Sequence, residues 1–226
     1  MVNLHHNRQR LPIEDMTNFR VFELIITMAL VCLVSSCPLA QQPVSQQKER
    51  SRSERKILIV YLSRTNNTKA VAEFIRDEVG GDLVSIELEK PYPADYKTTV
   101  AQVERENESG FLPPLSTKID RIEQYDVVFV GFPTWGMRLP PPMKSFLRQN
   151  NLKGKTVVPF NTHAGYGVGS SFATVKELCP DSTVLEGFVT KGGIERDGVL
   201  LDIKDARAEE VKTEVRNWLP KIKISQ

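Results

Sequence analysis

Histidine and cysteine are scarce in this chain of 226 residues, three of each. Two of the histidines, His5 and His6, sit at the extreme N-terminus, so no metal-binding set of the usual His and Cys ligands can be assembled. Charge of one sign is also lacking: 30 Lys and Arg stand against 28 Asp and Glu. No basic cluster of the kind that grips a phosphate backbone occurs, which excludes nucleic acid as a partner. The three spaced glycines of a dinucleotide-binding loop and the lysine pattern of a P-loop are both missing, which argues against a nicotinamide Rossmann domain and against an NTPase. The longest apolar run, 24–34, is too short to span a bilayer comfortably.

That run is nevertheless the first organised feature of the chain. Arg20 precedes it and the small residues Ser35, Ser36 and Cys37 follow, the arrangement of an export signal. Leu33-Val34-Ser35-Ser36-Cys37 resembles a bacterial lipobox, in which cleavage before the cysteine is accompanied by its acylation. The alternatives are an uncleaved anchor helix or a secretory peptide cut nearby, for instance after Ala40. Met16 is a more conventional signal start than Met1. Residues 1–36 are therefore read as signal peptide, and 37–55, rich in Gln, Ser, Lys, Glu and Arg, as a tether with too little apolar surface to offset its ordering entropy. On this reading Cys32 leaves with the signal and Cys37 carries lipid, so Cys179 is the one remaining thiol and no intramolecular disulfide forms. Cys179 itself reads as a small buried apolar residue.

The body, 56–226, carries 23 residues of each charge sign; the segment before it has seven basic against five acidic. Short β-branched runs at 57–61, 83–88, 127–132, 156–160 and 183–189 read as strands. Amphipathic stretches at 68–79, 142–150, 170–178 and 205–219 read as helices, with a further helix at 96–108. Strands alternating with helices imply a parallel α/β sheet covered on both faces. Such sheets bind ligands beyond their C-terminal strand ends.

Three loops at those ends stand out. The first is Ser63-Arg64-Thr65-Asn66-Asn67-Thr68, running into a helix. Hydroxyl and amide groups beside free N–H groups at a helix N-terminus suit an anion such as phosphate, and equally an ordinary capped βα turn. The second is Pro133-Thr134-Trp135-Gly136, followed by Met137, Arg138, Leu139 and three prolines of which Pro142 suits a helix start. Trp135 could stack on a flat ring, with Gly136 admitting a close backbone approach, or could pack over its own loop. The third runs from Asn161 through Thr162, His163, Ala164, Gly165, Tyr166 and Gly167 to Ser171, its glycines free to turn several N–H groups toward one point and Tyr166 offering a second aromatic face. His163 admits an acid-base role and a structural one.

Taken together and in order, these loops resemble those of the flavodoxin-like FMN proteins, and in particular a bacterial branch with a Ser-Arg-Thr-Gly-Asn-Thr loop, a Pro-Trp loop and a glycine-rich Thr-His loop. The resemblance runs from about Lys56 to about Pro220. It implies a three-layer sandwich with a five-stranded parallel sheet in the order 2-1-3-4-5. It further implies that Ser63, Arg64, Thr65, Asn66, Asn67 and Thr68 surround the FMN phosphate, that Pro133, Thr134, Trp135 and Gly136 flank the isoalloxazine, and that Thr162, His163, Gly165, Tyr166 and Gly167 follow its pyrimidine edge. Asn66 departs from the pattern, which has glycine there; asparagine is the best-tolerated substitute if φ is positive, at some expense in FMN affinity. The neutral body also departs from the strongly acidic electron-shuttling flavodoxins.

The expected function is electron transfer through FMN, with the flavin doing the chemistry and the protein tuning it. No catalytic acid or base is assigned. An oxidoreductase acting on a quinone-like or protein acceptor, with NAD(P)H as donor, stands beside two alternatives: a non-enzymatic carrier, and a tethered binding module that has lost FMN. Lipid at Cys37 would hold the domain on a membrane, facing the periplasm or the extracellular side, within reach of membrane quinones.

Overall fold

The computed structural model describes residues 55–224. The signal, Cys37 and the tether therefore lie outside the described residues, among which no helix is long and apolar enough to cross a membrane. Six strands, β1 (Ile57–Tyr61), β2 (Asp82–Ser85), β3 (Val127–Pro133), β4 (Thr156–His163), β5 (Thr183–Val184) and β6 (Phe188–Lys191), form one parallel sheet ordered β2-β1-β3-β4-β5, with β6 also paired to β4. Five helices accompany them: α1 (Asn67–Val79), α2 (Tyr96–Ser109), α3 (Pro141–Gln149), α4 (Ser171–Leu178) and α5 (Asp205–Trp218). This is the flavodoxin-like α/β architecture expected from the sequence.

Strand alternation sorts the apolar side chains into two cores. Leu58, Val60, Val128, Val130 and Phe132 pack with Met143 and Phe146 of α3 and Val175 of α4 on one face. Ile59, Val127, Phe129, Val158 and Phe160 pack with Val71 and Ile75 of α1 and Val211, Val215 and Trp218 of α5 on the other. Central strands buried on both faces explain why these runs are continuously apolar rather than alternating. Cys179 is buried in the first core, and burial pushes its thiol up to about 11, as expected of an inert residue.

Four strands differ in their bounds from those read in the sequence, β3 only by the added Pro133. The fifth strand, read as 183–189, is broken into β5 and β6. The N–H groups of Thr183, Leu185 and Gly192 donate to Lys155, Val157 and His163, so the odd-numbered positions of β4 face this outer strand. Pro159 occupies the next such position and has no N–H to give, and the ladder lapses opposite it. β2 ends at Ser85 rather than at 88 because the chain leaves the sheet: Leu88 pairs with Leu115, and Glu89 N–H donates to Pro114 O at 3.1 Å. β4 continues to His163 because Asn161 and Thr162 pair with Phe132 and Pro133 of β3 despite their polarity.

Candidate functional site

A cavity of about 390 Å³ opens at the C-terminal ends of β1, β3, β4 and β6, a size within the range of small-molecule sites. One wall is the first loop. Asn66 takes φ +64°, the left-handed conformation that asparagine tolerates better than most residues. That turn starts α1 without a side-chain cap. Among the described residues, the backbone N–H groups of positions 64–68 donate to no protein acceptor, the first occupied one being Lys69 N–H, which donates to Ser63 Oγ at 3.2 Å. Five consecutive free donors beside the positive end of a helix form a site for an anion.

The side chains of this loop divide their work. Thr65 and Thr68 line the cavity, and the Thr68 and Thr162 hydroxyls are hydrogen-bonded at 2.8 Å, tying the first loop to β4. The Asn67 side chain is turned to the chain itself: Nδ2 donates to Thr65 Oγ1 (2.9 Å) and Leu200 O (2.7 Å), and Oδ1 accepts from Asp202 N (2.9 Å) and Ile203 N (3.1 Å). Arg64 also lines the cavity, yet its guanidinium is bound to Glu195 and to the carbonyls of Pro93 and Ala94. Ser63 and Asn66 support the turn and do not line the cavity.

The second loop supplies the aromatic wall. Trp135 and Arg138 exchange backbone hydrogen bonds around Gly136 and Met137, both at positive φ, as in a type I′ hairpin turn. Trp135 is half-buried and lines the cavity together with Pro133, Thr134 and Gly136. Tyr92 meets its ring edge to face, with centroids 5.4 Å apart. Tyr92 in turn donates to Glu106, and its hydroxyl is held well above the ordinary phenol range by burial, then by that carboxylate.

The third loop begins later than the sequence implied, since Asn161 to His163 belong to β4. It is stapled to the second loop at two points. Ser170 N–H donates to Met137 O at 3.0 Å, and Gly169 lies so close that a Cβ there would stand 2.1 Å from that oxygen. Thr162, His163 and Ala164 reach the cavity; Gly165, Tyr166 and Gly167 do not line it, and Tyr166 is exposed. Gly167 O instead accepts from the Thr134 hydroxyl at 3.0 Å. Gly165 N–H donates to His163 Nδ1 at 2.9 Å, which leaves the imidazole proton on Nε2. Burial, with a smaller contribution from Lys191, holds the His163 pKa below its ordinary value.

Two further walls were not anticipated from the sequence. Helix α2 presents Tyr96, Thr99, Val100, Val103, Glu104 and Asn107 along one side, and Glu108 follows them. Their spacing of three and four was legible as a helix face, but nothing in it pointed to a ligand. Lys144 of α3 donates to Asn107 Oδ1 at 2.7 Å, and burial, then Arg138, lowers its pKa. The loop after β6 contributes Gly192, Gly193 and Glu195. Its signal was a glycine pair immediately after the last strand, at the same sheet edge as the other three loops.

A doubly wound parallel sheet with a row of free N–H donors in the turn after β1 and an aromatic loop after β3 is the arrangement of the flavodoxin-like class of mononucleotide-binding proteins. Comparison with known families agrees. The flavodoxin family model matches residues 56–205, and the chain belongs to that family. Among solved structures it is similar to a candidate flavoprotein from Bacteroides eggerthii DSM 20697, with 33% identity over 75% of this chain and 98% of that one and a TM-score of 0.61. A candidate flavoprotein from Bacteroides uniformis ATCC 8492 is 25% identical over 72% of this chain and 98% of its own, with a TM-score of 0.59. A flavoprotein from Lactobacillus acidophilus NCFM, solved in complex with FMN, is 25% identical over 64% of this chain and 98% of its own, with a TM-score of 0.54. No curated protein matches the chain significantly.

Proposed function

We propose that this chain binds FMN in the cavity and passes electrons through it, as an oxidoreductase tethered to a membrane outside the cytoplasm. The observation that carries the reading is the row of five unoccupied N–H donors at 64–68, opening into a cavity whose far wall is Trp135. The FMN phosphate would lie on those donors with the Thr65 and Thr68 hydroxyls, and the ring beside Trp135, its polar edge toward Thr162, His163 and the backbone at Gly192. When bound, the flavin supplies the redox chemistry.

The residues of this chain then have separate tasks. Trp135, braced by Tyr92, orients a flat ring, while Tyr96, Val100 and Val103 of α2 keep water from that side. His163, neutral and with its proton on Nε2, offers a fixed donor at the cavity wall. The apolar side chains of α2 favour a quinone-like acceptor over a charged one, with NAD(P)H as donor. Export and acylation at Cys37 would bring the domain to membrane quinones across the span of the tether.

The test is to purify the protein, add excess FMN, remove the unbound fraction and record the visible spectrum. Retained flavin bands are expected, with Trp135→Ala weakening FMN binding by about tenfold, the equivalent of one lost aromatic contact. Turnover with NAD(P)H and a quinone would identify an enzyme, and reduction by a protein partner alone would identify a carrier. A product that stays colourless would refute the redox reading. Cys37→Ala is expected to move the protein from the membrane fraction to the soluble one.

A further inference from the structure

We infer that Arg64, the one cation of the first loop, is not a ligand of the phosphate but a positioning residue that clamps two other segments shut around the anion end of the cavity. An arginine side chain has three nitrogens in a planar fork, and each of Arg64's already has an acceptor. Nε donates to both oxygens of Glu195, at 2.8 and 3.0 Å. Nη1 donates to Pro93 O at 3.0 Å and Nη2 to Ala94 O at 2.7 Å. The acceptors belong to segments far apart in sequence, one leading into α2 and the other following β6.

Each segment is organised around the point that Arg64 holds. Pro93 O also accepts from the Thr99 hydroxyl, at 2.8 Å, and Asp95 caps α2 by accepting from Thr98 N at 2.7 Å. The guanidinium therefore fastens the start of the helix that covers the cavity. On the other side, Glu195 begins a short 3₁₀ turn whose ends are joined by the Ile194 and Val199 bridge. The ion pair is only about a fifth exposed, 20% for Arg64 and 21% for Glu195. An arriving phosphate would meet a neutralised pair, while the N–H row of 64–68 supplies attraction without any cation. Removing Arg64 thus loosens the walls and leaves the Glu195 carboxylate without its counter-charge, so the two effects are separated by removing both partners of the pair.

The affinity part of this inference rests on the FMN reading, and the experiment separates the two. FMN and riboflavin, which lacks the phosphate, are titrated into the purified full chain, into its Arg64→Gln, Arg64→Lys and Glu195→Gln variants and into the double variant Arg64→Gln with Glu195→Gln, with off-rates followed by flavin fluorescence. The double variant, which breaks the clamp without changing the net charge, is expected to speed release of both flavins by about the same factor, on the order of tenfold for the loss of charge-assisted hydrogen bonds. Arg64→Lys should not rescue, because one ammonium cannot span three acceptors, and Glu195→Gln should weaken riboflavin, whose binding does not respond to the charge. Loss confined to FMN in the double variant would overturn the inference in favour of a direct phosphate contact. Amide hydrogen exchange on the cofactor-free proteins is expected to quicken at 93–99 and 192–200 in Arg64→Gln while the helices of the two cores stay protected. Unchanged exchange there would also overturn it. If the parent binds neither flavin, the exchange measurement still decides for or against the clamp, and only the FMN reading falls.

Discussion

Truncating Asn67 tests how the first loop is held, because this side chain joins the start of α1 to the chain just before α5. Asn67 is 4% exposed and, besides a long contact from Nδ2 to Thr65 O at 3.4 Å, makes four shorter hydrogen bonds: two donated, to Thr65 Oγ1 and Leu200 O, and two accepted, from the N–H groups of Asp202 and Ile203. A net contribution of about 1 kcal/mol for each bond would make the upper bound about 4 kcal/mol. Leu200 is exposed, so water can replace the partner lost by its carbonyl, whereas Ile203 is buried and its N–H would be stranded. Alanine is also the better helix former at this position, recovering about 0.5 kcal/mol. Asn67→Ala is therefore expected to lose about 2–3 kcal/mol, which for a domain of this size lowers Tm by roughly 4–12 °C. Asn67→Asp keeps both accepting bonds at a helix N-terminus that favours an anion, loses both donated bonds, and should fall between the two. The assay is urea unfolding of the cofactor-free protein, read by tryptophan fluorescence, with an unchanged m-value expected for each variant. A loss below about 1 kcal/mol in Asn67→Ala, or a larger one in Asn67→Asp, would refute the accounting of these four bonds.

Asn66→Gly and Asn66→Ala should change stability in opposite directions, since φ +64° suits glycine and costs a residue with a Cβ about 1–2 kcal/mol. Paired denaturation midpoints check this, and an alanine variant as stable as the glycine one would mean that the turn rebuilds itself. The pH dependence of stability should carry a contribution from His163. Its folded pKa is depressed, so the unfolded chain binds more protons as the pH falls below about 6.5, and stability that is complete above that value is lost on the way down. Urea midpoints at pH 7.5 and 5.5 should therefore converge more for His163→Asn than for the parent, which loses the bond from Gly165 N–H when Nδ1 is protonated.

Much of the fold was legible because the sheet is buried on both faces. Ile57–Tyr61 has the bounds read in the sequence, and the helices start within one residue of their expected positions, as at Asn67 against 68 and Pro141 against 142. What failed was non-local. Nothing within 183–189 announces a break, because its cause is a proline one strand away whose missing N–H faces that edge. Asn161 and Thr162 read as loop because polar residues are costly in a central strand; Asn161 is tolerated because its Nδ2 donates to Phe132 O and Thr134 Oγ1, both at 3.0 Å.

The site divides along the same line. Three such loops in order identified the site, although each alone also suits an ordinary turn, but residue types could not tell which atoms face the cavity. Asn67 and Arg64 carry the polar groups that suggest a phosphate ligand, and both spend their side chains on the protein itself. The donors left facing outward are backbone N–H groups, which every residue except proline possesses and which no sequence pattern can distinguish. On the proposed reading, anion binding here is thus a property of the path of the chain, held by Asn66 at the turn, Asn67 beneath it and Arg64 across it. For that reason substitutions that bend this path should affect flavin binding more than substitutions that only change its charge.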